Sequence, residues 1–224
     1  MSDHDWEQFA VKEPCYYIWT DYRGNDQEFW ESGRKKVEEI FLESRDMLPS
    51  RRTAIEIGCG IGRLLFPMCC YFEQCLGVDI SHSMLRGLHG YAERFGYSDR
   101  IKSFLATDPW HLCKSDFVYS YLVFQHIEDF GIIAEYIRRI SNSIGDDGLA
   151  YLQFDTRYPN LLYKVKSRLP DCFLPRQWRT GIRRIRRTRE QLLHLFEDSG
   201  LSVIKEKGSG SAEHVFLLRH KAIL

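Results

Sequence analysis

The chain has 224 residues, 44% of them hydrophobic, and its 31 Lys and Arg balance 31 Asp and Glu to a formal net charge of zero. That length and apolar content suit one α/β domain with a modest appendage, and nothing in the composition signals disorder. A wholesale polyanion binder would show a basic excess, so nucleic acid is not expected as a partner.

The first residues, Met1-Ser2-Asp3-His4-Asp5-Trp6, are acidic and aromatic and lack the basic segment and apolar run of a secretory signal. No apolar stretch has the length to span a bilayer. The 7 cysteines are odd in number and contain no CxxC pair, which predicts reduced thiols, no metal site and a cytoplasmic location. The aromatic segment Pro14 to Trp19 either folds over a cleft, with Trp6, Phe9, Tyr16, Tyr17 and Trp19 excluding water, or is ordinary packing. Asn25 is placed to cap a helix running to about Ser44. These residues, 1–48, form the expected N-terminal cap.

An alternation of strands and helices then fills the expected core, residues 49–155. Strands are predicted at Thr53–Ile57, Cys75–Ile80, Ile101–Leu105, Asp116–Leu122 and Leu149–Asp155. Helices are predicted at Ile61–Phe72, Ser81–Phe95 and Phe130–Ser143, the last ending at Gly145 and an Asp146-Asp147-Gly148 turn. This order implies a mostly parallel sheet covered on both faces. Residues 156–187 change character, with Pro159, Pro170, Pro175 and dense arginine, and read as an insertion or acceptor lid. Thr188 caps a helix to about Ser199, and Leu201–Glu206 with His214–Arg219 close the sheet as an antiparallel hairpin, so that residues 188–224 complete the same domain.

The informative stretch is Glu56-Ile57-Gly58-Cys59-Gly60-Ile61-Gly62, between the first strand and the first helix. Its glycines fall as G-x-G-x-G, whereas the dinucleotide fingerprint is G-x-G-x-x-G. Glycines allow a sharp turn and the close approach of a ligand, and open α/β sheets bind ligands at the carboxyl ends of their strands. Asp79 follows at the end of the second strand, about 20 residues on, where an acid accepts ribose hydroxyls. Ile80 adjoins it. Asp108, beyond the third strand, puts a carboxylate where an adenine amino group would lie, with Pro109 and Trp110 beside it; Trp110 would alternatively wall the adenine. The rival account is a plain tight turn. Cys59 reads as a small apolar filler of the turn.

With Asp116–Ile127, these residues resemble the class I S-adenosylmethionine-dependent methyltransferases. The resemblance covers about residues 50–155, and the rest in pattern only. It implies a Rossmann-like seven-stranded sheet with an antiparallel last strand, and S-adenosylmethionine as cofactor. It also implies Glu56 and Gly58 near the methionine part, Asp79 on the ribose and Asp108 on the adenine. The Asp108-Pro109-Trp110 run departs from the small residues more usual there.

Methyl transfer from a sulfonium needs positioning, exclusion of water and sometimes removal of an acceptor proton. His126, just past the fourth strand, is the first candidate base, its alternative a structural role. Asp155 is the second, its alternatives a cap or a contact to an acceptor amine. Tyr17, Trp19, Arg183 and Arg184 are the expected acceptor contacts, although the arginines read equally well as a solvated, salt-bridged face. The sum is an S-adenosylmethionine-dependent methyltransferase of a small-molecule acceptor, by O- or N-methylation and suited to specialised metabolism, as a monomer or homodimer. The alternatives are an RNA or protein methyltransferase, or a non-catalytic cofactor-binding partner subunit.

Overall fold

The computed structural model describes residues 3–48, 50–159, 163 and 184–221. Seven strands form one sheet in the order β3-β2-β1-β4-β5-β7-β6. They are β1 (Thr53–Ile57), β2 (Gln74–Asp79), β3 (Ile101–Leu105), β4 (Ser115–Ser120), β5 (Ile144–Phe154), β6 (Leu201–Lys207) and β7 (His214–His220). The pairings among β1 to β5 are parallel, and β7 runs antiparallel to both β5 and β6. This is the expected architecture. β1 and β4 are central neighbours with crossovers to opposite sides, so the strand order reverses at their carboxyl ends and opens a crevice there.

Side chains alternate between the two faces, as a strand requires. Ala54, Phe117, Tyr119, Leu149, Tyr151 and Leu217 meet helices α3 (Asp26–Ser44), α4 (Leu65–Met68) and α5 (His82–Phe95). Ile55, Ile57, Val118, Ala150, Leu152 and Phe216 meet helix α6 (Phe130–Ser143) and the C-terminal helix α7 (Arg189–Asp198). The caps are as the sequence reads: Asn25 accepts from the Glu28 amide, Ser81 from Met84, and Thr188 forms a capping box with Gln191.

Two elements differ from their expected bounds by more than two residues. The helix expected over 61–72 shortens to Leu65–Met68, because Pro67 offers no N–H and the next amides turn to nearer carbonyls, Cys70 to Pro67 and Tyr71 to Met68. β5 begins at Ile144, directly after α6, and the Asp146-Asp147-Gly148 turn becomes an irregularity in the β4–β5 register, between the pairs Ser115–Ile144 and Phe117–Leu149.

Two short helices precede the core, α1 (Asp3–Lys12) and α2 (Pro14–Ile18). Glu7 of α1 accepts from the Ser81 hydroxyl at 2.6 Å, from the Ser83 amide at 3.2 Å and from the Ser83 hydroxyl. Those hydrogen bonds hold its carboxyl down at about 2. Ala10, Cys15, Ile18 and Trp19 pack with Phe29, Ile61 and Met84. The aromatic segment thus packs on Phe29 of α3 and, with α1, forms a cover beside Ile61 and the start of α5. No described helix is long and apolar enough to cross a membrane.

Candidate functional site

The crevice begins at the turn after β1. Gly58 and Cys59 donate their amides to the Val78 carbonyl at 2.7 and 3.1 Å, which fastens the turn to β2. Gly58 and Gly60 have φ of +76° and +52°, a region that costs an L side chain. A Cβ on Gly58 would stand 2.3 Å from Val123, and one on Gly60 would stand 2.7 Å from Ile18 of the cover. The turn is thus pressed between the β4 loop and α2. Gly62 serves packing: a Cβ there would meet Phe66 and Leu88 at 2.6 and 2.7 Å.

Asp79 closes this turn. Its carboxylate accepts from the Gly60 amide at 2.8 Å and from the Ser81 amide at 2.9 Å. Burial raises its pKa, and the backbone amides of Ser81, Gly60 and Ile80 oppose the rise. A carboxylate has about four acceptor positions, so at least one stays open to a ligand hydroxyl. Glu56 is 3% exposed and accepts from the Tyr119 hydroxyl at 3.1 Å. Its own burial pushes its pKa well up.

These groups line a cavity of about 1050 Å³. Of the residues expected at the site, Glu56, Gly58, Cys59, Gly60, Asp79, Ile80, Tyr17, Trp19, His126 and Arg184 lie on its wall. Burial and the nearby Asp79 and Glu56 push the Cys59 thiol well up, in keeping with a filler of the turn. Gly62, Asp108, Pro109, Trp110 and Asp155 are not on the wall, and Arg183 lies outside the described residues.

Three of those misplacements have clear causes. The Asp108 carboxylate turns back to accept from the Leu105 amide at 2.8 Å, tying off the end of β3 instead of facing adenine. Trp110 lies in a 3-10 turn that carries it beneath the sheet, where it is 0% exposed and donates to the Ala106 carbonyl at 3.3 Å; it is core, not an adenine wall. Ala106 and Thr107 take that part of the wall instead. Asp155 is buried and held by Arg157, whose Nε and Nη2 donate to its two oxygens at 3.0 and 2.5 Å. Both of its oxygens are thus engaged by Arg157, and it is Arg157 that lines the cavity.

His126 ends a 3-10 turn at Phe124–His126 and is 8% exposed. Its Nε2 lies 3.2 Å from Gln125 Nε2, and its ring stands edge-on to Trp6 at 5.8 Å. Phe9 stacks on Tyr17 at 4.0 Å, so an aromatic chain runs from the cover to the imidazole. Arg157, Arg184 and Arg186 face the same region, with Tyr163 under the Arg186 guanidinium at 4.1 Å.

The sequence reading missed several wall residues. Leu122 has φ of +63°, the sole positive value among described non-glycine residues, and the Gln153 side chain holds its amide at 2.8 Å. Strain of this kind gathers at ligand clamps. Arg63 and Lys36 also line the cavity, and no pattern along the chain marks them.

The sequence matches a family model described as a methyltransferase domain over residues 22–206. No curated protein matches it significantly. Among solved structures, magnesium protoporphyrin IX methyltransferase from Synechocystis PCC 6803, with bound SAH, superposes at a TM-score of 0.68 with 16% identity, over 98% of this chain and 100% of that one. The CcbJ methyltransferase of Streptomyces caelestis gives 0.68 and 14%, over 99% and 100%. NcsB1, an O-methyltransferase from neocarzinostatin biosynthesis in complex with S-adenosylmethionine and 2-hydroxy-5-methyl naphthoic acid, gives 0.57 and 16%, over 75% and 49%. The chain belongs to the methyltransferase domain family, with the class I Rossmann-like fold. It is an S-adenosylmethionine-dependent enzyme.

The residues present fit that cofactor. A turn with no Cβ at its two closest points, a half-buried acid with an open acceptor position and a cavity large enough for a nucleoside lie together at the reversal of strand order.

Proposed function

We propose that the enzyme methylates a small-molecule acceptor at oxygen or nitrogen. The observation that carries this reading is the cavity of about 1050 Å³, roofed by α1 and α2. That volume sits at the upper end of the roughly 300–1000 Å³ usual for a single drug-sized ligand, enough for a cofactor and a modest acceptor. A polymer acceptor would need an open face where the cover lies.

In this reading Gly58, Gly60, Asp79 and Ile80 hold the cofactor, which supplies a methyl group already activated as a sulfonium. Trp6, Tyr17 and Trp19 exclude water and offer flat apolar surface to the acceptor. Arg157 and Arg184 orient it through any anionic group it carries. His126 takes its proton at a ring nitrogen. Residues 1–48 then act as the cap, and residues 156–187 as the acceptor lid, of a single domain. The 2-hydroxy-5-methyl naphthoic acid in complex with NcsB1 is a hydroxylated aromatic acid, a chemistry that suits a site combining aromatic rings and guanidinium groups.

The test is release of S-adenosylhomocysteine from S-adenosylmethionine in the presence of a panel of phenols, aromatic acids and amines, with RNA and unfolded protein as competing arms. Turnover on a small aromatic acid or amine is expected. Turnover confined to RNA or protein would overturn the proposal.

A further inference from the structure

Charge is spread unevenly along this formally neutral chain: residues 156–187 hold ten basic residues against one acid, Asp171. Ion pairs with the rest of the surface would be the ordinary outlet for such an excess. Four arginines of the segment are described, and only Arg157 meets a carboxylate, that of Asp155. Arg187 donates to the Ile127 and Glu128 carbonyls at 3.1 and 2.5 Å. The Arg186 side chain donates to the Tyr158 carbonyl at 2.7 Å, and its Nε is buried without an acceptor. Arg184 is exposed and forms no ion pair with a described carboxylate.

The backbone explains where these side chains stand. The Ile185 amide donates to the Gln125 carbonyl at 2.6 Å and the Arg187 amide to the Asp155 carbonyl at 3.0 Å, so the stretch is fastened at alternate residues. The other two, Arg184 and Arg186, line the cavity. Tyr163 steadies the second of them: its hydroxyl accepts from the Arg186 amide at 3.0 Å, and its ring lies under the guanidinium. Both anchors belong to the acceptor end, since Gln125 precedes His126 and Asp155 holds Arg157. Of the cavity's other acids, Glu39 and Glu213 pair with Lys36, Glu135 with Arg138 and Arg139, and Glu56 and Asp79 accept from Tyr119 and the glycine turn. None of them, nor Asp21, forms an ion pair with Arg184 or Arg186. Three guanidinium groups thus share one wall with a single counter-charge, and that one is taken by Arg157.

We propose that the acceptor is an organic anion, its carboxylate or phosphate held by Arg184 and Arg186 beside the braced Arg157. Guanidinium forks match either group in shape and charge. A neutral acceptor would leave the wall's excess charge unanswered in a site that excludes water, which is costly. The inference rests on the small-molecule reading and narrows it: the anionic group becomes a requirement, and Arg186 a specificity residue that the sequence did not single out.

The test is titration of the S-adenosylhomocysteine-loaded enzyme with 1-naphthoate, 1-naphthyl phosphate, 1-naphthamide and 1-naphthylmethylamine. At least one anion should bind about 10-fold or more tighter than the amide, the amine should bind most weakly, and the margin should shrink as salt rises. The tighter anion tells a carboxylate acceptor from a phosphate one. Arg186→Met keeps the stem and removes the fork; it should weaken that anion about 10- to 100-fold and leave the amide unchanged. Arg184→Met should do the same to a smaller extent, because its charge is exposed. Neither variant breaks an ion pair among the described residues, so both should melt near the wild-type temperature, which certifies their folds. An amide that binds as tightly as both anions, variants that weaken all ligands equally, or no binding by any of the four would overturn the proposal. Turnover confined to RNA or protein would overturn the small-molecule reading and this inference together, whereas a hydroxy acid and its amide methylated equally well would overturn this inference alone.

Discussion

Gly58→Ala tests whether the glycine turn is closed from above by the β4 loop. Two costs add. The backbone sits at φ +76°, where an L residue loses about 1–2 kcal/mol. The new methyl would lie 2.3 Å from Val123 Cγ2 and 3.0 Å from Cγ1. Both branches of a stiff side chain are involved, so relief needs movement of the loop, a typical overpacking cost of about 1–3 kcal/mol. The expected loss is therefore about 2–5 kcal/mol, which lowers the melting temperature by on the order of 4–20 °C for a domain of this size. Val123→Ala is the partner variant. In the double variant the steric share should return while the backbone share remains, giving a favourable coupling of at least about 1 kcal/mol. Urea unfolding of the four proteins measures it. A Gly58→Ala protein of wild-type stability, or additive single effects, would refute the account of the turn.

Asp79→Ala should weaken S-adenosylhomocysteine binding by about 2–3 kcal/mol and also destabilise the protein by about 1–3 kcal/mol, because the Gly60 and Ser81 amides lose their acceptor; Asp79→Asn should be milder in both, and calorimetry with thermal melts separates the two effects. His126→Ala should cut kcat by roughly 10²–10⁴-fold with unchanged S-adenosylhomocysteine affinity; unchanged kcat would leave His126 a wall residue. Trp110→Ala should cost about 3–5 kcal/mol as a core deletion, whereas Trp110→Phe should fold and bind S-adenosylhomocysteine normally; loss of binding there would return Trp110 to the adenine. Burial lowers the pKa of His214, whose Nδ1 lies 2.9 Å from the Thr156 hydroxyl. The unfolded chain then takes up its proton first, so this part of the stability is complete above about pH 6.5 and is lost as pH falls through the depressed folded value. His214→Asn should flatten the acid limb of the melting-temperature profile, and an unaltered limb would assign it to other groups.

The parallel core was legible because burial on both faces writes continuous apolar runs, and glycines and caps punctuate them. The residues of the turn were legible because the positive φ values at 58, 60 and 62 favour glycine. What escaped depends on contacts between distant segments. α1 and α2 are too short to be stable alone and are held by Glu7 on Ser81 and Ser83 and by Ile18 on the glycine turn. Asp108 and Trp110 occupy the expected place in the chain, yet a 3-10 turn after β3 sends one back to the Leu105 amide and the other into the core. Arg63 looks like an ordinary helix residue, and its burial appears only when Gly33 and Ser32 of α3 close on it.

The cover formed by α1 and α2 also bears on time. Asp79 and Gly60 lie beside elements that are themselves fastened to the adjoining residues, by Glu7 at Ser81 and Ser83 and by Ile18 at Gly60. If α1 and α2 close over the bound cofactor, the contacts that keep water out during transfer are the ones that break when the spent nucleoside departs. Residence of that product, rather than the methyl step, is then expected to govern steady turnover, as in many enzymes with closing elements. Rapid mixing would reveal it as a first turnover that outruns all later ones, and Glu7→Gln, which loosens the fastening without touching the acceptor region, would narrow the gap between them.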